Sequence, residues 1–132
     1  MYKRQGTGTN YFAFSDRFSS TAVLATLTNN LLTSDGWANI NYSNLQNFYF
    51  QPSNVADTLD VLSTNLGTNY VLNGNGGSDT FTIGNTTADF NAPNFTGTQS
   101  AILGPVTILA DDVDPVGLAD TCLLYTSPSP RD

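Results

Sequence analysis

Gly74-Asn75-Gly76-Gly77-Ser78-Asp79-Thr80-Phe81-Thr82 is the stretch on which the reading of this chain turns. Its glycines reach backbone angles closed to other residues. Asp79 is a hard oxygen ligand, and Phe81 falls on the same side of an extended strand as Ile83 because side chains alternate. The stretch therefore reads as a tight loop that presents one carboxylate and runs straight into a short strand. Asp57-Thr58-Leu59-Asp60-Val61 repeats the second half of it 22 residues earlier, with Val55 and Ala56 standing where the later copy has Gly77 and Ser78. That spacing suits one coil of a solenoid, in which equivalent side chains stack about 4.8 Å apart.

Two weaker echoes extend the pattern. Gly8-Thr9-Asn10-Tyr11-Phe12-Ala13-Phe14 matches Gly77 to Ile83 in kind, with Asn10 in place of the aspartate, and Leu118-Ala119-Asp120-Thr121 begins a further rung. The expected repeat phase is therefore Asn10, Asp57, Asp79 and Asp120, with gaps of 47, 22 and 41 residues stretched by insertions in loops.

Both ends read differently. Tyr2-Lys3-Arg4-Gln5 and Cys122-Leu123-Leu124-Tyr125 can be encoded by DNA stretches that are reverse complements of each other. Residues 122–132, CLLYTSPSPRD, resemble a translated transposase sequencing adapter. The expected division is an adapter scar at 1–5, a repeat segment at 6–121 and a second scar at 122–132. A chain cut in this way continues in both directions.

Composition then limits the chemistry. Residues 6–121 contain no cysteine, histidine, lysine or glutamate, and their ten aspartates face Arg17 alone, a net charge of −9. Clustered cations are what neutralise phosphate, so a nucleic-acid partner is excluded. Without histidine or cysteine there is no Ser-His or Cys-His nucleophile pair and no ordinary zinc site. No apolar run reaches the roughly 18 residues of a membrane span. What remains is oxygen chemistry, and acids that are all aspartate among Asn, Gly and Thr suit calcium.

Elsewhere the pattern is of strands and turns. Residues 19–32 carry both helical and alternating periods, and their Thr and Asn content favours strand. Thr33 to Gly36 reads as a turn. Ile40 and Tyr42, then Leu45, Phe48 and Phe50, form two short strands around Ser43-Asn44, with a bend at Pro52. The aromatic residues here read as a stacked core rather than a ligand platform. Residues 84–100 form a polar excursion that loops out, and strand pattern returns at Val106 and Ile108 after Gly104-Pro105. Asp111, Asp112 and Asp114 form an acidic loop, either a solvated turn or a second calcium position.

With these residues in view, the chain resembles the repeats-in-toxin and related β-strand-repeat proteins of bacterial surfaces. Their nonapeptide GGxGxDxUx is met by Gly74, Gly77, Asp79 and Phe81, with Asn75 in place of the second glycine. The resemblance implies an all-β fold, a right-handed parallel β-helix or β-roll of short strands and polar loops, export to the cell surface or medium, and calcium in the glycine-aspartate loops. The implied ligands are Asp79 and Asp57 with carbonyls of Gly74 and Gly76. The competing reading of Asp79 is a turn aspartate that bonds its own backbone. Only one full nonapeptide is present, where tight calcium rolls have several in succession.

The functional expectation is a structural or adhesive repeat segment of a large secreted or surface protein. Its partners would be neighbouring repeats of the same chain, surface glycans or cell-surface receptors, and no catalysis is expected. Two other readings compete with this one. A β-helix enzyme acting on polysaccharide would use grouped aspartates with Arg17 as its only basic residue. An ice-binding solenoid would use Thr-x-Thr pairs such as Thr26 with Thr28 and Thr80 with Thr82.

Overall fold

The computed structural model describes residues 2–4, 8–86, 97–98, 101–109 and 121–124. The described residues form short strands and no helix. In chain order the strands are β1 (Tyr2–Arg4), β2 (Tyr11–Ser15), β3 (Leu24–Leu27), β4 (Leu31–Ser34), β5 (Ile40–Asn41), β6 (Asn47–Gln51) and β7 (Thr58–Val61). They continue as β8 (Asn69–Asn73), β9 (Thr80–Ile83), β10 (Asn85–Thr86), β11 (Gly97–Thr98), β12 (Val106–Leu109) and β13 (Thr121–Leu124).

Two sheets dominate. The first has the order β1-β2-β6-β8-β12, the second β13-β9-β7-β3-β4-β5. Within the first, β2, β6, β8 and β12 are mutually parallel. Within the second, β3, β7, β9 and β13 are. Along the chain these strands alternate between the sheets, β2 then β3, β6 then β7, β8 then β9, β12 then β13. Between the second and third passes the two sheets keep the same 22-residue step. It separates Asn47 from Asn69 in the first and Asp57 from Asp79 at the start of the strands of the second.

The passes on either side are longer because they carry insertions. Val23 and Asp57 lie 34 residues apart, and the extra length includes β4 and β5, which pair antiparallel on β3 and on each other. Between β9 and β12, β10 pairs antiparallel with β11. At one edge of the first sheet β1 lies antiparallel on β2, and at one edge of the second β13 pairs with β9, Cys122 opposite Phe81.

Alternation within each strand sends one set of side chains between the sheets. Phe12, Phe48 and Tyr70 are in register across β2, β6 and β8, and Phe50 and Leu72 follow two residues on. The facing rows are Ala25, Leu59 and Phe81, and Leu27, Val61 and Ile83. All of these are buried. The rings pack directly on one another, stacked for Phe12 and Phe48 with centroids 4.9 Å apart and tilted for Phe48 and Tyr70 at 5.4 Å. Each such pair contributes roughly 0.5–1.5 kcal/mol beyond its buried area. Trp37 closes the row of Phe14 and Phe50, 4.1 Å from the first ring.

The aromatic residues thus form a stacked core, and β12 follows Gly104-Pro105, both as expected. The stretch 19–34 differs from the expectation. It holds two strands, with the reversal at Thr28 to Leu31, where the Thr28 hydroxyl accepts the Leu31 N–H at 3.1 Å, and Thr33 and Ser34 lie inside β4 rather than in a turn.

Candidate functional site

The stacked Asp-Thr pairs sit where the chain enters the second sheet. Thr58 and Thr80 are partners in register, so Asp57 and Asp79 stand one residue before them on adjacent levels. The Asp57 peptide is gripped on both sides by the pass above it. Its N–H donates to Asp79 Oδ1 at 2.7 Å, and its carbonyl accepts the Thr80 N–H at 2.8 Å. One level earlier the arrangement repeats. The Val23 N–H donates to Asp57 Oδ1 at 2.6 Å and the Val23 carbonyl accepts the Thr58 N–H at 2.9 Å. The Thr121 N–H on the Asp79 carbonyl, at 2.7 Å, carries the backbone half one level further.

The physical need is plain. Just before the first residue of a strand the ladder has not yet supplied an acceptor for the N–H, and a buried amide left unpaired costs as much as a lost hydrogen bond. The side chain of the aspartate above supplies the acceptor. Both carboxylates are almost fully enclosed, Asp57 at 5 % and Asp79 at 2 % exposure, so these bonds are shielded from water. Ser53, fully buried, completes the set: its N–H reaches Asp57 Oδ2 at 2.9 Å and its hydroxyl reaches Oδ1 at 2.8 Å. Burial raises the Asp57 carboxyl above its ordinary pKa, against the pull of the Ser53 side chain and of the Val23 and Ser53 amides.

The glycine loop is shaped around this carboxylate. A β-carbon on Gly74 would fall on Asp79 Oδ2 and lie 3.1 Å from its Cγ. Gly77 has φ +111° and its open side faces the Val55–Ala56 peptide one level down. Gly76 lies against the Asn54 carbonyl, which a β-carbon would meet at 3.4 Å. Asn75, which stands where the nonapeptide has glycine, takes φ +72°, a conformation asparagine tolerates better than most residues. Its side chain then does what a glycine cannot. Asn75 Nδ2 donates to the carbonyls of Arg17 and Ser53, at 3.1 and 2.9 Å, and Oδ1 accepts from Gln51 Nε2 at 3.2 Å. One residue on the third pass thereby ties down the corners of the first two.

The structure places Asp79 against Gly74 and against the Asp57 amide, and Gly76 against the Asn54 carbonyl. The donors placed around the carboxylates are amide and hydroxyl hydrogens, which compete with a cation for the same lone pairs. The set is therefore suited to amide capping. Among the described residues no group of three or more His, Cys, Asp or Glu side chains converges. Asp111, Asp112, Asp114 and Asp120 lie outside the described residues.

Asn10 does not join this corner. It precedes β2 in the first sheet, where its N–H donates to Gln46 Oε1 and its side chain to the Asn44 carbonyl. The residue level with Asp57 on the first pass is Val23. Asn10 resembles the aspartates because it too is a polar residue directly before an alternating strand. Ser53 and Asn75 are the working residues that the Asp-Thr pattern does not single out. The signal for Ser53 is the Ser-x-x-x-Asp spacing in 53–57.

Comparison with protein-family models, with curated proteins and with solved structures finds no match to this chain.

Proposed function

We propose that this chain is a structural and adhesive repeat segment of a secreted or surface-attached protein, wound as a right-handed parallel β-helix in which aspartates clamp successive coils. The observation that carries the reading is the repeated grip on the peptide that precedes each strand, Asp57 on Val23 and Asp79 on Asp57, at the same end of the parallel strands of the second sheet. The alternation of strands between the sheets supports a continuous winding. Its hand follows from the strong preference of parallel crossovers for the right-handed sense. Each coil then contacts only its neighbours, and stability grows by adding repeat and interface terms. Such a rod suits a spacer that holds binding surfaces away from a cell. The family resemblance carried by Gly74, Gly77, Asp79 and Phe81 supports export. Calcium, which the same resemblance suggests, has to compete with the Val23 and Ser53 donors at Asp57.

Duplicating residues 58–79 directly after Asp79 tests this reading, because the insert is one complete 22-residue step. The lengthened chain is expected to unfold in one cooperative transition with a higher midpoint and a larger denaturant dependence, as more surface is buried. A lower midpoint or loss of cooperative unfolding would contradict the repeat. Melting both chains in calcium chloride and in chelator separates the clamp from the ion. Equal midpoints assign the corner to the aspartate clamp alone, and a higher midpoint in calcium makes it a calcium site.

A further inference from the structure

At the opposite corner, where the chain leaves the second sheet for the first, a groove of about 290 Å³ opens between the first two passes. It is lined by Asn29, Asn30, Tyr42, Asn44, Asn65 and Leu66, among others. We propose that this groove binds a neutral saccharide, the terminal sugar of a glycan. The inference deepens the adhesive half of the proposed function and rests on that reading for its biological sense.

Four features of the groove select the ligand. No lining residue carries a formal charge, in a chain whose net charge is −7, so neither an anion nor a cation finds a counter-charge. Burial, reinforced by the neighbouring Tyr70, raises the Tyr42 phenol far above its ordinary pKa, and the ring stays neutral. The rim is built of amides, each able to donate and to accept, which matches a hydroxyl group that does both. The apolar part is supplied by Leu66, 83 % exposed, beside the half-buried Leu45, which offers a surface for the C–H face of a sugar ring.

The groove is also preformed. The Tyr42 hydroxyl donates to the Thr28 carbonyl, the Thr68 hydroxyl to the Leu45 carbonyl at 2.6 Å, and Asn65 Nδ2 to the Asn29 carbonyl. Asn29 also donates its N–H to the Ser63 hydroxyl at 2.8 Å. Asn29 is thereby held through its backbone, and its exposed side chain is left to the groove. Asn44, at φ +54°, is held in the same way through its carbonyl, which accepts from Asn10. The volume stands at the lower end of small-molecule sites, which run from about 300 to 1,000 Å³, and suits a single terminal sugar rather than a long chain.

Saturation-transfer NMR on the whole chain, with glucose, galactose, mannose and N-acetylglucosamine in turn at millimolar concentration, tests the proposal. Transfer to at least one sugar is expected. Asn29→Ala and Leu66→Ala should each weaken its binding about five-fold, the loss of one ordinary contact, with unchanged melting because neither side chain is buried. No transfer to any of these sugars, or transfer unchanged in both variants, would overturn it. A chain that passes the duplication experiment and fails here is a repeat rod without this site. A chain that binds sugar but fails the duplication keeps the groove and loses the repeat.

Discussion

Gly77→Ala is expected to lower the unfolding midpoint by on the order of 15 °C, because it combines two costs. At φ +111° a β-carbon is strained whatever the space around it, at roughly 1–3 kcal/mol. Here it also falls on the amide nitrogen of Ala56 and the carbonyl carbon of Val55, and lies 2.8 Å from the Val55 oxygen. Backbone cannot rotate aside as a side chain can, so the overlap adds roughly another 1–3 kcal/mol. A total near 4 kcal/mol is a large part of the stability of a domain, about 5–15 kcal/mol. Gly67→Ala separates the two costs, since Gly67 has φ +84° but open space where the β-carbon would sit. It should show the strain alone, and Gly36→Ala, with neither feature, should be close to neutral. Equal effects of Gly77→Ala and Gly67→Ala would mean that the loop does not rest on the Val55–Ala56 peptide.

Gly74→Ala is the second large effect, and its cause is distinct. The new methyl group would evict the Asp79 carboxylate, whose Oδ1 holds the Asp57 N–H. Losing a hydrogen bond to a charged acceptor costs roughly 1.5–3 kcal/mol. A loss of about 2 kcal/mol is therefore expected from Gly74→Ala, and a similar one from Asp79→Ala. The two should not add. In the Asp79→Ala background there is no carboxylate to displace, so Gly74→Ala should cost close to nothing, a coupling of about 2 kcal/mol in a double-mutant cycle. Additive losses in urea unfolding would show that Gly74 is needed for some reason other than making room for Asp79.

These positions also show how far the fold can be read from residues alone. The 22-residue step between Asp57 and Asp79 is visible because both levels of the clamp need a carboxylate, and glycine marks the tightest place around it. The stacked rings are visible because Phe48 and Phe50 alternate. Val23 is not visible, since the level that is gripped needs only a peptide and its side chain is indifferent to the role. Asn10 misleads for the complementary reason: a polar residue before an alternating run marks the start of a strand, not which sheet it joins. The strand β8, with Tyr70 and Leu72 in the core, lies outside the Asp-Thr signal because strands of the first sheet are held by ring stacking and by amide pairs such as Asn69 with Asn47. The hairpin of β3 and β4 hides in a mixed periodicity, where Leu27 and Leu32 both point inward although the chain reverses between them. The groove near Asn29 and Leu66 is assembled from two passes and has no local signature at all.

The most direct test of the proposed winding is a set of inter-strand nuclear Overhauser contacts in the isotopically labelled chain. A parallel step of 22 residues predicts contacts of Asp57 with Thr80, of Leu59 with Phe81 and of Phe48 with Tyr70, all running in the same direction along both sheets. Contacts that run in opposite directions along β7 and β9, or the absence of any between Asp57 and Thr80, would contradict it.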